Sequence, residues 1–272
     1  MSAQLREASS VILLRSVNPG GFEVFLLRRR KGASFMASAY VFPGGGAEPG
    51  EDARTAAARE LFEEAGVLLA RDLHVDREPV ARPGHGTLRK AILGGADAAA
   101  TLAGVGLAWS TDMLVPWSHW ITPSIEPKRF SARFFLCVLP PGQDPQFDDI
   151  ETVDQVWLRP AEAAARAKEL ALPPPQLRTL WELAELATVD EVLAAGRARA
   201  SELHPILPRL RAMASGDPLC LLLPWDPEYA ETGMGDSAPL TYQPAWARGP
   251  SRFVLEDQTW KHVAAPGSTT AA

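Results

Sequence analysis

Two cysteines in 272 residues, Cys137 and Cys220, leave no material for a disulfide framework. They lie far apart and Cys137 sits in an apolar run, so both are expected as reduced core thiols rather than a bridge or a ligand pair. Positive charge is also in deficit, with 27 Lys and Arg against 33 Asp and Glu and a net charge of −6. Without a basic footprint, bulk binding to nucleic acid is not expected. Long apolar runs are missing too. No segment approaches the roughly 18 uninterrupted apolar residues that a membrane span requires, and the opening SAQLREASSVILLR is charged and lacks a signal-peptide core. No internal repeat is apparent. These absences predict a cytoplasmic protein with no membrane partner. What is present, 46% apolar residues, suffices for a sizeable core in one large domain or in a domain plus an extension.

The most informative stretch runs from Gly45 to Val67, GGAEPGEDARTAAARELFEEAGV. Pro43 and Gly44-Gly45-Gly46 read as a flexible turn in which backbone can approach a ligand closely. Glu51 and Asp52 suit the start of a helix, Ala53 onward is rich in helix formers, and Gly66 is a natural stop. On that helix Ala57, Leu61 and Ala65 form a buried stripe. Glu60 and Glu64, four apart, share another face with Glu63 beside them. Like charges so placed destabilise a bare helix, and a cation would offset the cost. Oxygen-only donors suit a hard ion, Mg2+ or Mn2+, which also binds phosphates. Arg59 is placed to pair with Glu51 and hold the loop to the helix. Glu63-Glu64 alone would read as a solvated acidic face; the full spacing does not.

Gly45, Glu51, Arg59-Glu60-Leu61, Glu63-Glu64 and Gly66-Val67 match the Nudix box at every fixed position, and the chain resembles the Nudix hydrolases. The resemblance implies an α+β fold, an α/β/α sandwich with a mixed sheet, and hydrolysis of nucleoside diphosphates linked to another moiety. It implies Glu60 and Glu64 as the principal metal ligands, Glu63 and the Gly45 carbonyl joining them, and Glu51 with Arg59 as the supporting ion pair. For the general base it leaves two candidates, Glu63 from the box and Glu151 from a later loop; the bland reading of Glu151 is a solvated loop acid.

Along the chain, strands are expected at Ser9–Arg15, Phe22–Arg29, Trp117–Pro123, Phe130–Leu139 and Thr152–Leu158, with helical periodicity over about 71–110 marking an insertion. Ala161–Leu170 reads as a helix, LPPPQ at 172–176 as a rigid turn, and Leu177–Ala200 as a helical pair broken near Thr188. Strands follow at Leu219–Leu223 and Arg252–Glu256. The organisation expected is a catalytic domain over 8–165, a helical C-terminal extension over 166–264 packed on it, and a disordered tail over 265–272.

The flanking motifs WSHWITP, RFFLCVL, the Glu151 to Trp157 spacing, LPPPQ and LLLPWDPEY are similar to the coenzyme A diphosphatase branch of the family, which includes a peroxisomal mammalian enzyme. That likeness implies cleavage of CoA or acyl-CoA into 3',5'-ADP and a 4'-phosphopantetheine product. The chain ends Thr270-Ala271-Ala272 rather than in a peroxisomal tripeptide, which keeps the expectation cytoplasmic. Other partners stay open: ADP-ribose, NADH or an ADP-sugar at the same site, or a ligand sensor without turnover. A homodimer is compatible with all of them. Arg28, in the run Arg28 to Lys31, and Lys128, Arg129 and Arg133 are the candidate phosphate contacts, against a plain reading as surface charge. Trp117, Trp120 and Trp157 are core aromatics or, in the sharper reading, a stacking surface for adenine. His119 reads as a structural partner.

Overall fold

A computed structural model of the chain describes residues 4–32, 36–73, 85–212 and 216–266. In chain order, β1 (Leu5–Ser16), β2 (Phe22–Arg29), β3 (Tyr40–Val41) and β4 (Gly44–Gly46) precede α1 (Ala53–Ala65). Then come β5 (Ala70–Asp72), α2 (His85–Leu93), α3 (Ala98–Ala103), β6 (Leu107–Trp109), β7 (Val115–Ile121), β8 (Arg129–Val138) and β9 (Thr152–Leu158). The remainder is α4 (Pro160–Ala165), α5 (Pro174–Ala184), α6 (Val189–Arg199), β10 (Pro205–Ile206), β11 (Arg209–Arg211), β12 (Cys220–Leu222), β13 (Gly233–Met234), β14 (Arg252–Glu256) and β15 (Thr259–Val263).

Side-chain alternation along the strands decides the layers. Val11 and Leu13 of β1, Phe25 and Leu27 of β2, and Phe135 and Cys137 of β8 pack with Ala57, Leu61 and Ala65 of α1. Their neighbours Ile12, Leu14, Val24, Leu26, Phe134 and Leu136 face the other way, onto Leu177, Leu180 and Leu183 of α5 and Val189 and Val192 of α6. The result is helix, mixed sheet, helix. β1 runs parallel to β8, while β7 pairs with β8 and β9 with β2 in the antiparallel sense.

β1 and β2 pair only at Leu14–Ser16 and then diverge. The opening is filled by β3 on β2 and by β4 on β1, where Gly46, Gly45 and Gly44 lie opposite Ala8, Ser9 and Ser10. The glycine segment expected as a flexible turn is therefore a paired strand wedged between two others. Glycine is required by close approach: a Cβ on Gly44 would collide with the Ser9 carbonyl and the Ser10 side chain.

α1 begins where Asp52 accepts the N–H groups of Arg54 and Thr55, a cap worth about 1 kcal/mol. It stops at Gly66, whose φ of 70° and N–H bond to Phe62 O finish the helix. The insertion is helical as expected in α2 and α3, with the antiparallel ribbon β5–β6 joining its ends; residues 74–84 of it lie outside the described residues. The expected helix over 161–170 is shorter, α4 giving way to turns that lead to Leu172 and the prolines that open α5.

The C-terminal part differs more from expectation. Besides α5 and α6 it contains a five-stranded sheet in the order β13-β11-β12-β14-β15, most of whose strands are too short to show a period. β10 joins the main sheet through β7, and Trp246 and Phe253 enter the same apolar cluster as β1, β2 and β8. Of the tail expected over 265–272, Ala265 is buried, and residues 267–272 lie outside the described residues. Both cysteines are buried and free, and burial pushes the Cys137 thiol up to about 12.

Candidate active site

The wedge and the helix meet at the carboxylates. Glu64, 3% exposed, accepts the Gly44 N–H at 2.8 Å. One turn earlier the Glu60 carboxylate lies so close to Gly45 that a Cβ there would stand 2.6 Å from it. Arg59 ties the rest together. It donates to both Glu51 oxygens at 3.0 Å, to Glu63 at 2.9 Å, to Glu60 at 3.1 Å and to the Gly46 carbonyl at 2.8 Å. The sequence-derived pairing of Arg59 with Glu51 is present, and Arg59 also reaches Glu60 and Glu63, which the sequence did not suggest.

Burial opposes the charged form of these carboxylates. Burial pushes Glu64 up to about 8, against the pull of the Gly44 N–H, with the Glu60 charge adding to the rise. Burial likewise lifts Glu60 to about 7, Arg59 opposing and Glu63 reinforcing. Glu63 is raised by burial and restrained by Arg59. For Arg59 burial acts to lower the pKa, and the hydrogen bonds and charges of Glu51, Glu60 and Glu63 reverse it. Among the described residues, Arg29 is the cation paired with Glu64, 4.0 Å away.

Two carboxylates held toward the neutral form, Glu64 buried and Glu60 partly so, four residues apart against the glycine strand, are a donor set suited to a hard divalent ion. Among the described residues no three of the acidic side chains stand as a ready-made metal cluster; Arg59 holds Glu60 and Glu63 together, and Glu64 turns to Gly44.

Opposite Glu64 lies the loop of Glu151, a side chain 65% exposed. The loop is built rather than loose. The Asp148 carboxylate accepts the N–H groups of Ile150, Glu151 and Thr152. Arg30 donates to the carbonyls of Asp149 and Ile150, and its N–H bonds the Glu151 carbonyl. Arg29 lies 4.0 Å from both Glu64 and Glu151.

The expected basic contacts divide. Arg28 is exposed, and alternation along β2 gives it the parity of Val24 and Leu26, away from α1; Arg29, in step with Phe25 and Leu27, is the residue brought to the carboxylates. That alternation is the signal by which Arg29 could have been chosen. Lys128 is exposed in the β7–β8 connection. Arg129 is buried and committed, donating to the Thr122 carbonyl and pairing with Asp236 at 3.3 Å. Arg133 is partly exposed and paired with Glu7, which also accepts from Ser131; Ser131 in turn bonds His119 at 2.9 Å. Register places Gly45, Ser9, Arg133 and His119 in one row across β4, β1, β8 and β7.

The idea of adenine stacking on Trp117 or Trp120 is corrected: they are 1% and 4% exposed and lie in the α5–α6 cluster, away from α1. Trp157 packs on Phe25 with Arg15 over its ring.

Against known proteins, the family model of the NUDT19 Nudix domain matches residues 49–184, and that of the NUDIX domain matches residues 5–87. A human relative named acyl-coenzyme A diphosphatase NUDT19 is 34% identical over 65% of this chain and 51% of its own length. The Gallus gallus protein of the same name is 29% identical over 83% of this chain and 80% of its own. A Caenorhabditis elegans protein named for the nudix hydrolases is 32% identical, and the chain spans 64% of it. The chain thus spans about half to two thirds of the length of the human and nematode relatives. In structure, a NUDIX hydrolase from Alicyclobacillus acidocaldarius superposes with a TM-score of 0.61 at 26% identity, covering 71% of this chain and 96% of the other.

Proposed function

This chain belongs to the Nudix hydrolases, in the group represented by the NUDT19 Nudix domain, and we propose that it hydrolyses the diphosphate linkage of CoA or acyl-CoA. The products are 3',5'-ADP and (acyl-)4'-phosphopantetheine. The observation that carries the reading is the pair of partly buried Glu60 and buried Glu64, set against a glycine strand, with desolvation lifting them to about 7 and about 8. The human and chicken relatives, named acyl-coenzyme A diphosphatases, support the substrate class.

We assign Glu60, Glu63, Glu64 and the Gly45 carbonyl to hold Mg2+ or Mn2+. Such an ion, when bound, neutralises diphosphate charge and lowers the pKa of an attacking water. The residues of the chain do the rest. Arg59, through Glu51 and the Gly46 carbonyl, locks the glycine strand to α1, so that Gly45 and Glu60 keep their spacing. Glu63, engaged by Arg59 at 2.9 Å, is restrained as a proton acceptor. Glu151 is freer and stands on a built loop across from Glu64, which favours it as the base that takes the proton of the attacking water.

Arg133 supports recognition of a second anionic group. Neighbouring strands lie about 5 Å apart, so two steps along the row from Gly45 put Arg133 roughly 10 Å away. A phosphate bound there would take the place of Glu7 on the guanidinium.

The test is a Mg2+-dependent assay of the purified protein on CoA, acyl-CoAs, ADP-ribose and NADH, with products identified by mass. Turnover of ADP-ribose far above that of CoA would overturn the substrate class. No turnover of any of the four would overturn the reaction.

A further inference from the structure

The last turn of α1 carries Glu63 and Glu64, and its carbonyls are finished from outside the helix. The Gln146 N–H bonds Ala65 O at 2.8 Å. The Glu63 carbonyl is taken by Arg89 of α2, whose Nε and Nη2 donate to it at 3.0 and 2.9 Å. Gly66 makes the approach possible. At its φ of 70° a side chain would be strained, and a Cβ would stand 3.0 Å from Arg89 Nη1. Arg89 is half-buried, so its guanidinium has given up water for this contact, and the charges of Asp148 and Glu64 act on it.

A single lysine-like charge would serve to offset the negative end of a helix. Arg89 does more, because two donors of one rigid guanidinium converging on a single carbonyl oxygen fix direction as well as charge. Glu63 O belongs to the turn from which Glu63 and Glu64 project, and Arg89 belongs to the inserted segment that otherwise packs through Ile92 and Leu102 against Phe62. We propose that Arg89 is a positioning residue: by gripping the Glu63 carbonyl it sets the pitch of the turn that aims the Glu63 and Glu64 carboxylates. The inserted helix thereby becomes part of the support of the active site. This inference rests on the diphosphatase reading above.

Charge and position make opposite predictions. A cation beside the ligands repels a divalent ion, so if Arg89 acted by charge alone, Arg89→Ala would bind metal more tightly and Arg89→Lys would match the wild type. If it acts by position, both variants lose. The experiment is titration of the full-length protein with Mn2+ followed by electron paramagnetic resonance, which needs no turnover, together with Mg2+-dependent kinetics on CoA. For Arg89→Ala the expected result is metal affinity about 10-fold weaker and kcat roughly 10-fold lower at saturating Mg2+, with KM within about 2-fold; Arg89→Lys falls between it and the wild type. Wild-type affinity and kcat in Arg89→Lys, or tighter Mn2+ binding by Arg89→Ala, overturns the inference. Should Arg89→Ala fail to fold, Arg89→Lys decides alone. A wild type that binds Mn2+ yet cleaves no diphosphate sinks the proposed function instead, and the two failures are distinguishable.

Discussion

Glu64→Gln should inactivate the protein and, without metal, make it more stable. Burial places the Glu64 pKa near 8 against an ordinary value of 4.5. In the folded protein Glu64 therefore holds a proton over a range in which the unfolded chain has released it. Its contribution is fully present below pH 4.5 and is lost as pH rises through about 8. A shift of about 3.5 units at roughly 1.36 kcal/mol each gives an upper limit of about 5 kcal/mol. Glutamine removes the titration and keeps an acceptor for the Gly44 N–H. For a chain of this size that corresponds to up to about 10 °C in melting temperature.

The assay is calorimetry of both proteins in EDTA at constant ionic strength, from pH 4.5 to 8.5. His262, buried and held down near 3, works in the opposite direction, its contribution being present above pH 6.5 and lost as pH falls. It is common to both proteins and cancels in their difference. The melting temperature of Glu64→Gln minus that of the wild type should climb from near zero at pH 4.5 to its maximum above pH 8. Mg2+ added at pH 8 should raise the wild type and leave the variant nearly unmoved. A difference that is flat with pH, or a variant less stable than the wild type at pH 8, would refute the reasoning.

Other perturbations separate the roles of neighbouring groups. Gly45→Ala drives a methyl into the space of the Glu60 carboxylate and should lower kcat roughly 10- to 100-fold with an unchanged circular dichroism spectrum; wild-type turnover would remove Gly45 from the site. Arg59→Ala strands Glu51 and Glu63 and should cost about 3–5 kcal/mol in urea unfolding. Arg59→Lys, lacking the fork, should recover less than half of that, and full recovery would show that charge alone suffices. Glu151→Gln should lower kcat about 10²- to 10⁴-fold and change the pH–rate profile; an unchanged profile would pass the role of base to Glu63.

The box was legible because its meaning depends on spacing within one helix and its adjoining loop, and both ends of that helix are signalled by Asp52 and Gly66. β2, β9 and β14 were legible to the residue, as was the break at Thr188, which caps α6. What escaped was non-local. That Gly44–Gly46 would pair with β1 depends on the divergence of β1 from β2, which no local pattern encodes. The second sheet is made largely of strands of two or three residues, shorter than any period. Arg28 and Arg29 are adjacent in sequence and opposite in space, so choosing between them needs the position of α1. Arg89 reaches the carboxylate turn from 26 residues away, across an insertion whose composition carries no chemistry.

The most direct measurement is the hydrolysis of CoA by the purified protein with Mg2+ in 18O-enriched water, with the products weighed by mass spectrometry. The expected products are equal amounts of 3',5'-ADP and 4'-phosphopantetheine, one of the two carrying a single solvent oxygen, with turnover abolished by EDTA and lowered by several orders of magnitude in Glu64→Gln. Intact CoA, or cleavage that persists undiminished in Glu64→Gln, would contradict the proposed reaction.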